Sequence, residues 1–379
     1  MNWRVPLADV QLGVEEENAV LEVLRSGWLT MGAVTQAFEE EFASFCGAKH
    51  ALAVTNATTG LHLACVAAGV GPEDEGILPS LTFVASANAI QYAGATPVFA
   101  DIESLDWLCI SPASIERAIT PKTKAIMVVH YAGYACDMPA ILEIAKTHNL
   151  AVIEDAAHAV GASLQGRALG TWGDVGCYSF FGNKNMTTAE GGMLVTNNPE
   201  IAGKARLLRS HGMTTLTWDR HQGHASTYDV VAAGYNYRLD EIRSALGREQ
   251  LKKLPAGNMR RGELVTLYRE LLAELAPEVL VPFSADRGQS SYHILPVLLP
   301  EGVEKQAVMA SMKAQGIQTS WHYPPVHGFS IYRDHANADL LPLTQTCAGR
   351  ELTLPLFPTM TAEQVDWVVE TLQAAIKER

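Results

Sequence analysis

Short apolar runs recur through the first half of the chain, and a helical pattern follows most of them. His50–Val54, Ile77–Pro79, Pro97–Ala100, Ala125–His130, Leu150–Asp155, Tyr178–Phe180 and Met193–Thr196 read as strands. Helical patterns carry Leu61, Leu63 and Ala64 after the first run, then Ala85–Tyr92, then Met138–His148. Strands that are apolar along their whole length, rather than at every second residue, must be covered on both faces. Strand–helix–strand order supplies that cover, so the expected fold is α/β with a mostly parallel seven-stranded sheet between helices.

Beyond the strands, an amphipathic helix is expected from Asp240 to Leu254 and a second over Met259–Leu275, with Pro255 between them. Tyr292–Leu299 then reads as a strand, and Lys305–Gln315 and Ala362–Lys377 as helices. These form a smaller C-terminal α/β domain. The expected division is an N-terminal segment, 1–25, packing with the small domain, a large domain, 26–250, and the small domain, 251–379. A chain of 379 residues accommodates two such domains.

The net charge of −13 argues against nucleic acid and anionic membranes as partners. Six cysteines without CxxC spacing read as buried thiols of a reducing compartment. No apolar signal core and no run long enough to span a bilayer is read, so the expected location is cytoplasmic. Twelve histidines show no convincing ligand spacing, and no metal is expected.

Four segments carry candidate chemistry. Ala151-Val152-Ile153-Glu154-Asp155 puts a carboxylate at a strand's carboxyl end, where open α/β sheets bind ligands. Asp155 there suits a protonated ring nitrogen, and a plain helix N-cap is the competing reading. In Ser179-Phe180-Phe181-Gly182-Asn183-Lys184-Asn185, Lys184 lies among small and aromatic residues. A desolvated amine of this kind forms a Schiff base with a carbonyl, although most lysines are solvated surface residues. Ser179 is near enough for its hydroxyl to reach a phosphate of the same ligand. Thr55-Asn56-Ala57-Thr58-Thr59-Gly60, between a strand and a helix, offers amides and the Thr58 and Thr59 hydroxyls to an anion, or is an ordinary capping turn. Phe83 either lies against a planar heterocycle or belongs to the core.

Taken together, these segments resemble the DegT/DnrJ/EryC1/StrS family of sugar aminotransferases, fold-type I enzymes of pyridoxal phosphate. The resemblance rests also on Ser26-Gly27-Trp28-Leu29-Thr30-Met31-Gly32, Glu154-Asp155-Ala156-Ala157-His158-Ala159, Asn183–Gly192, Gly234-Tyr235-Asn236-Tyr237-Arg238-Leu239 and His322-Tyr323-Pro324-Pro325. It implies pyridoxal 5'-phosphate as cofactor, cycling through pyridoxamine 5'-phosphate. Lys184 would hold the cofactor and carry the proton. Asp155 would pair with the ring nitrogen, which makes the ring an electron sink. His158 would sit near the ring, where a neutral core histidine is the competing reading. Thr58, Thr59 and Ser179 would hold the phosphate, and Phe83 would stack on the ring.

Asn236 would reach the phosphate of a neighbouring subunit, which implies a homodimer with shared sites. The partners implied are a nucleotide-linked keto-sugar and glutamate or glutamine as amino donor. Trp28, Thr30, His322, Tyr323 and His327 are candidates to line the sugar site, with packing the alternative for His322 and Tyr323. The Thr187–Gly192 run is closer to members that aminate C4 of a 4-keto-6-deoxy hexose than to those that aminate C3. Two departures stand out: Ala57 replaces the family's usual glycine in the phosphate turn, and Gly32-Ala33 replaces Gly-Pro.

Three other readings compete. Relatives that dehydrate sugars carry histidine where Lys184 stands. A cysteine desulfurase would need a mobile cysteine, for which Cys347 is the late candidate. A non-catalytic binding or regulatory protein on the same fold would not require the intact Lys184 and Asp155.

Overall fold

The computed structural model describes residues 3–215, 218, 223, 227–333 and 338–377. Its centre is a seven-stranded sheet of β1 (His50–Val54), β2 (Glu75–Pro79), β3 (Thr96–Ala100), β4 (Thr123–Val129), β5 (Ala151–Asp155), β8 (Val175–Ser179) and β9 (Gly192–Thr196). The order is β1-β9-β8-β5-β4-β2-β3. All pairings from β8 to β3 are parallel, and β9 runs antiparallel to both its neighbours. A two-residue hairpin, β6 (Ser163–Leu164) and β7 (Arg167–Ala168), stands apart. The expected sheet is present, with the apolar runs as its strands.

Helices α1 (Val14–Ser26), α2 (Ala33–Cys46), α3 (Ala57–Ala67), α4 (Ala85–Tyr92), α5 (Pro112–Ala118), α6 (Met138–His148) and α7 (Pro199–Leu208) accompany the sheet. Their starts are written locally. The Asn56, Ser111, Asp137 and Asn198 side chains each accept an amide of the first turn of α3, α5, α6 and α7. At α2 the cap comes from far away in sequence: the buried Glu241 carboxylate accepts from the amides of Gly32, Val34 and Thr35. An anion at a helix N-terminus is favoured by the helix dipole.

The second half differs from expectation at Pro255. The two helices expected there are one, α8 (Glu241–Leu275), 35 residues long with Pro255 inside it. An interior proline removes a helix hydrogen bond and costs about 3 kcal/mol. Burial on both sides of it outweighs that cost: Leu251 and Leu254 join the core beneath α2 and β9, and Leu264, Val265, Tyr268 and Leu272 join a second core. That second core is completed by α9 (Lys305–Ala314), α11 (Ala362–Lys377) and an antiparallel pair, β10 (Leu295–Leu298) with β11 (Glu351–Leu354), preceded by α10 (Pro342–Arg350). The N-terminal strand segment pairs at Val5 with Ile317, and Arg4 lies 4.0 Å over the Trp367 ring. Helix α1 packs on α8 through Gln250 and Lys253, which bind Glu16 at 2.9 and 2.7 Å.

Among the described residues no helix is long and apolar enough to cross a membrane, and no cluster of metal-ligating side chains occurs. All six cysteines are buried and free.

Candidate active site

The carboxyl ends of β1, β2, β5 and β8 point the same way, and the segments leaving them enclose a cavity of about 490 Å³. Its walls include Asn56, Ala57 and Thr58 after β1, Thr82 and Phe83 after β2, Asp155 and His158 after β5, and Ser179, Asn183 and Lys184 after β8. His322 and Tyr323 close it from the second half of the chain. Eight of the sequence-derived residues thus meet in one place, of a size that suits a small-molecule ligand.

Successive side chains of β5 face opposite sides of the sheet. Glu154 points into the structure and accepts hydrogen bonds from His130 Nε2 at 2.8 Å and from the amides of Gly170 and Gly173. Asp155 faces the cavity. Its oxygens take neutral donors, Ser86 Oγ at 2.7 Å and the Ala157 amide at 3.1 Å. Burial raises its pKa, partly countered by those donors and by Lys184. A buried carboxylate held by neutral donors alone calls for a cation, because an unpaired charge away from water is costly.

Lys184 stands on a turn closed by its own amide to Phe181 O. Burial pushes its ammonium down to about 8, against the pull of Asp155. Its amine lies 3.3 Å from Nε2 of His293, a residue that carried no signal in the sequence. The direction of that contact follows from its neighbours. Asn185 Nδ2 donates to Asn258 Oδ1 and to Ser291 O, both at 2.7 Å, so Asn185 Oδ1 must be the acceptor facing His293 Nδ1 at 2.8 Å. His293 therefore carries its proton on Nδ1 and offers the Nε2 lone pair to Lys184. Burial and the nearby cations hold His293 well below its usual pKa, so it stays neutral.

His158 has the opposite tautomer. The Ala132 amide donates to Nδ1 at 3.2 Å, so Nε2 bears the proton and donates to Tyr323 Oη at 3.0 Å. The Tyr323 hydroxyl proton is then free for the cavity. His322 Nδ1 lies 2.8 Å from Thr353 Oγ1, which in turn lies 2.6 Å from Glu351 Oε1. Burial, and then Lys184, bring His322 down to about 4.

Glu351, fully buried, is pushed up to about 8. A carboxyl whose folded value lies above its unfolded value of 4.5 gives stability that is complete at acid pH and lost as pH rises through 8. Glu351→Gln is expected to remove that loss. Its unfolding free energy, measured by denaturant titration, should match the wild type near pH 5. The wild type should then fall behind by about 1.4 kcal/mol for each pH unit crossed up to about 8.

The expected phosphate turn is the start of α3. Ala57 is helical, so the glycine usual at this place is not needed for its conformation. The close approach is made by Gly192 instead: a Cβ there would come within 2.7 Å of the Ala57 amide. The Thr59 amide and hydroxyl are turned back on Asn56, at 2.9 and 2.8 Å, as in an ordinary capping turn. Thr58 lines the cavity.

Four other expected residues lie apart from these walls. His327 Nδ1 contacts Ser80 Oγ at 2.7 Å in the interior. Trp28 packs edge-on to Trp218 with ring centroids 4.8 Å apart, and Thr30 is exposed between α1 and α2. Asn236 is exposed, with its backbone bridged to Ser210.

The DegT/DnrJ/EryC1/StrS aminotransferase family matches residues 10–373. The spore coat polysaccharide biosynthesis protein SpsC of Bacillus subtilis is 41% identical over 99% of this chain and 98% of its own length. The structure of Spr1654 from Streptococcus pneumoniae in its PMP form superposes with a TM-score of 0.92 at 28% identity, covering 99% of this chain and 100% of that one. The structure of DesI in the presence of its TDP-sugar product superposes with a TM-score of 0.89 at 32% identity, covering 100% and 93%.

Proposed function

We propose, from the premise that this chain belongs to the DegT/DnrJ/EryC1/StrS aminotransferase family and is a pyridoxal-phosphate-dependent sugar aminotransferase, that it moves an amino group from glutamate or glutamine to C4 of a nucleotide-linked 4-keto-6-deoxy hexose. The observation that carries this reading is the pair at the cavity: a buried lysine whose ammonium is brought down to about 8, and a buried carboxylate that only neutral groups hydrogen-bond among the described residues. The TDP-sugar product in the DesI structure and the polysaccharide role of SpsC support a nucleotide-linked sugar.

The donor set fits the cofactor. Asp155 would hold the protonated ring nitrogen, Phe83 would cover a ring face, and Ser179 with the Ala57 and Thr58 amides would hold the phosphate. Pyridoxal phosphate, when bound, supplies a carbonyl that joins to an amine and a ring that draws electrons away from the carbon being deprotonated. Lys184 takes a proton from one carbon and returns it to another. Its amine donates a hydrogen bond to neutral His293, which leaves the nitrogen lone pair free to act as base. Tyr323, fixed by His158, donates into the cavity, and His322 stands beside it to meet a sugar hydroxyl. Exposed Asn236 suits a role toward a second subunit in a homodimer.

The test is the visible spectrum of the protein with pyridoxal phosphate, before and after L-glutamate, across pH. The expected result is loss of the visible cofactor band on adding glutamate, at a rate that rises with pH and levels off above about 8, because Lys184 must be unprotonated to accept the proton. A band that ignores both glutamate and glutamine would end the donor assignment. Product analysis with 4-keto and 3-keto sugar nucleotides then decides the carbon.

A further inference from the structure

Helix α8 buries a cation that the proposed reaction does not use. Arg261 is 4% exposed, and its Nε and Nη1 find no hydrogen-bonding partner among the described residues. Burial alone lowers its guanidinium to about 10. It lines a cleft of about 40 Å³ whose other walls include Lys184, Asn185, Gln250, Lys253 and Gly257. The other cations of the cleft are Lys184 and Lys253, and Lys253 is paired with Glu15 and Glu16. The acid of the cleft, Asp9, is engaged with the Val10 amide at 2.9 Å and with Thr359. Gly257 lies on α8 beside the same space. Glycine inside a helix is unfavourable, and a Cβ there would stand 3.6 Å from Arg261 Nη1, within the cleft.

We propose that this cleft binds a single carboxylate group, with Arg261 as its principal partner. A guanidinium presents its N–H groups as a planar fork that matches the two oxygens of a carboxylate. The cleft admits only a small group, which excludes a nucleotide or a phosphosugar. Because Lys184 forms part of the wall, the carboxylate belongs either to the amino-acid donor or to a free small acid held beside the lysine. The donor source rests on the proposed transamination; the site itself does not.

The experiment follows thermal unfolding of the full chain, with and without pyridoxal phosphate, as sodium acetate replaces sodium chloride at constant ionic strength. Wild type is expected to gain Tm saturably with acetate. Arg261→Met should show no such gain, and in chloride alone it should unfold at or above the wild-type Tm, since methionine buries no unpaired cation. Gly257→Ala keeps the arginine and favours the helix, yet should respond weakly to acetate because its methyl occupies the cleft.

An acetate gain that persists unchanged in Arg261→Met would overturn the proposal, as would a wild type that ignores acetate. The source is read from the glutamate-driven loss of the visible band. Competition by acetate, with a 10–100-fold rise in half-saturating glutamate in Arg261→Met (about the worth of one charged hydrogen bond), assigns the donor's carboxylate. An unchanged half-saturation beside an intact Tm response assigns a free acid. Should glutamate fail as donor, the Tm response still decides the site.

Discussion

Lys184→Ala is expected to lower the rate of glutamate-driven band loss by about 10⁴-fold, the upper end of what one positioned acid–base group contributes. On the proposed mechanism the substitution removes both functions assigned to the amine, its attachment to the cofactor carbonyl and its carriage of the proton. Single-turnover spectroscopy with glutamate measures the second directly. The fold should survive, because the turn carrying Lys184 is held by backbone, from its own amide to Phe181 and from Thr188 to Phe180. The change also relieves a buried cation. Small primary amines added to the solution should restore part of the rate, since they supply a base of the missing kind. A variant that keeps wild-type turnover would remove Lys184 from the chemistry.

Asp155→Asn is expected to reduce turnover by about 10²–10⁴-fold. Taking one partner from a buried ion pair costs about 3–5 kcal/mol, and each 1.36 kcal/mol is tenfold in rate. The asparagine oxygen still accepts from the Ala157 amide, and its Nδ2 can donate to Ser86 Oγ once the Ser86 hydroxyl turns to Phe83 O, so folding should be little affected. What it loses is the charge that, on the proposed mechanism, would keep a ring nitrogen protonated. The loss should fall on the deprotonation step rather than on cofactor retention, which single-turnover rates and cofactor titration separate. Equal turnover in Asp155→Asn and wild type would mean that the carboxylate is only a cap for the following turn.

The sheet was legible because its strands are apolar throughout, and Asp155, Ser179 and Lys184 drew notice as cavity candidates because each ends or closely follows such a strand. Tertiary partners decided the rest. His293 lies at the start of a segment read only as a strand, and nothing local says that Asn185 and Asn258 set its tautomer. His327 looked polar and available, but Ser80, 247 residues away in sequence, takes it into the interior. Pro255 signals a break in any single-sequence reading, and only packing on both sides keeps α8 whole. Glu351 and Thr353 carried no signal in the sequence, and their part comes only through the hydrogen bonds they make with His322.

Helix α8 has one more consequence. Its first half completes the core under the sheet and its second half completes the core around β10 and β11. Neither core can lose its share of that helix without exposing the other's. The two therefore melt as one cooperative unit, and a ligand that tightens the cavity raises the stability of residues far beyond its walls. For the same reason, neither half can be exchanged for a relative's without matching a continuous 35-residue helix to both cores at once.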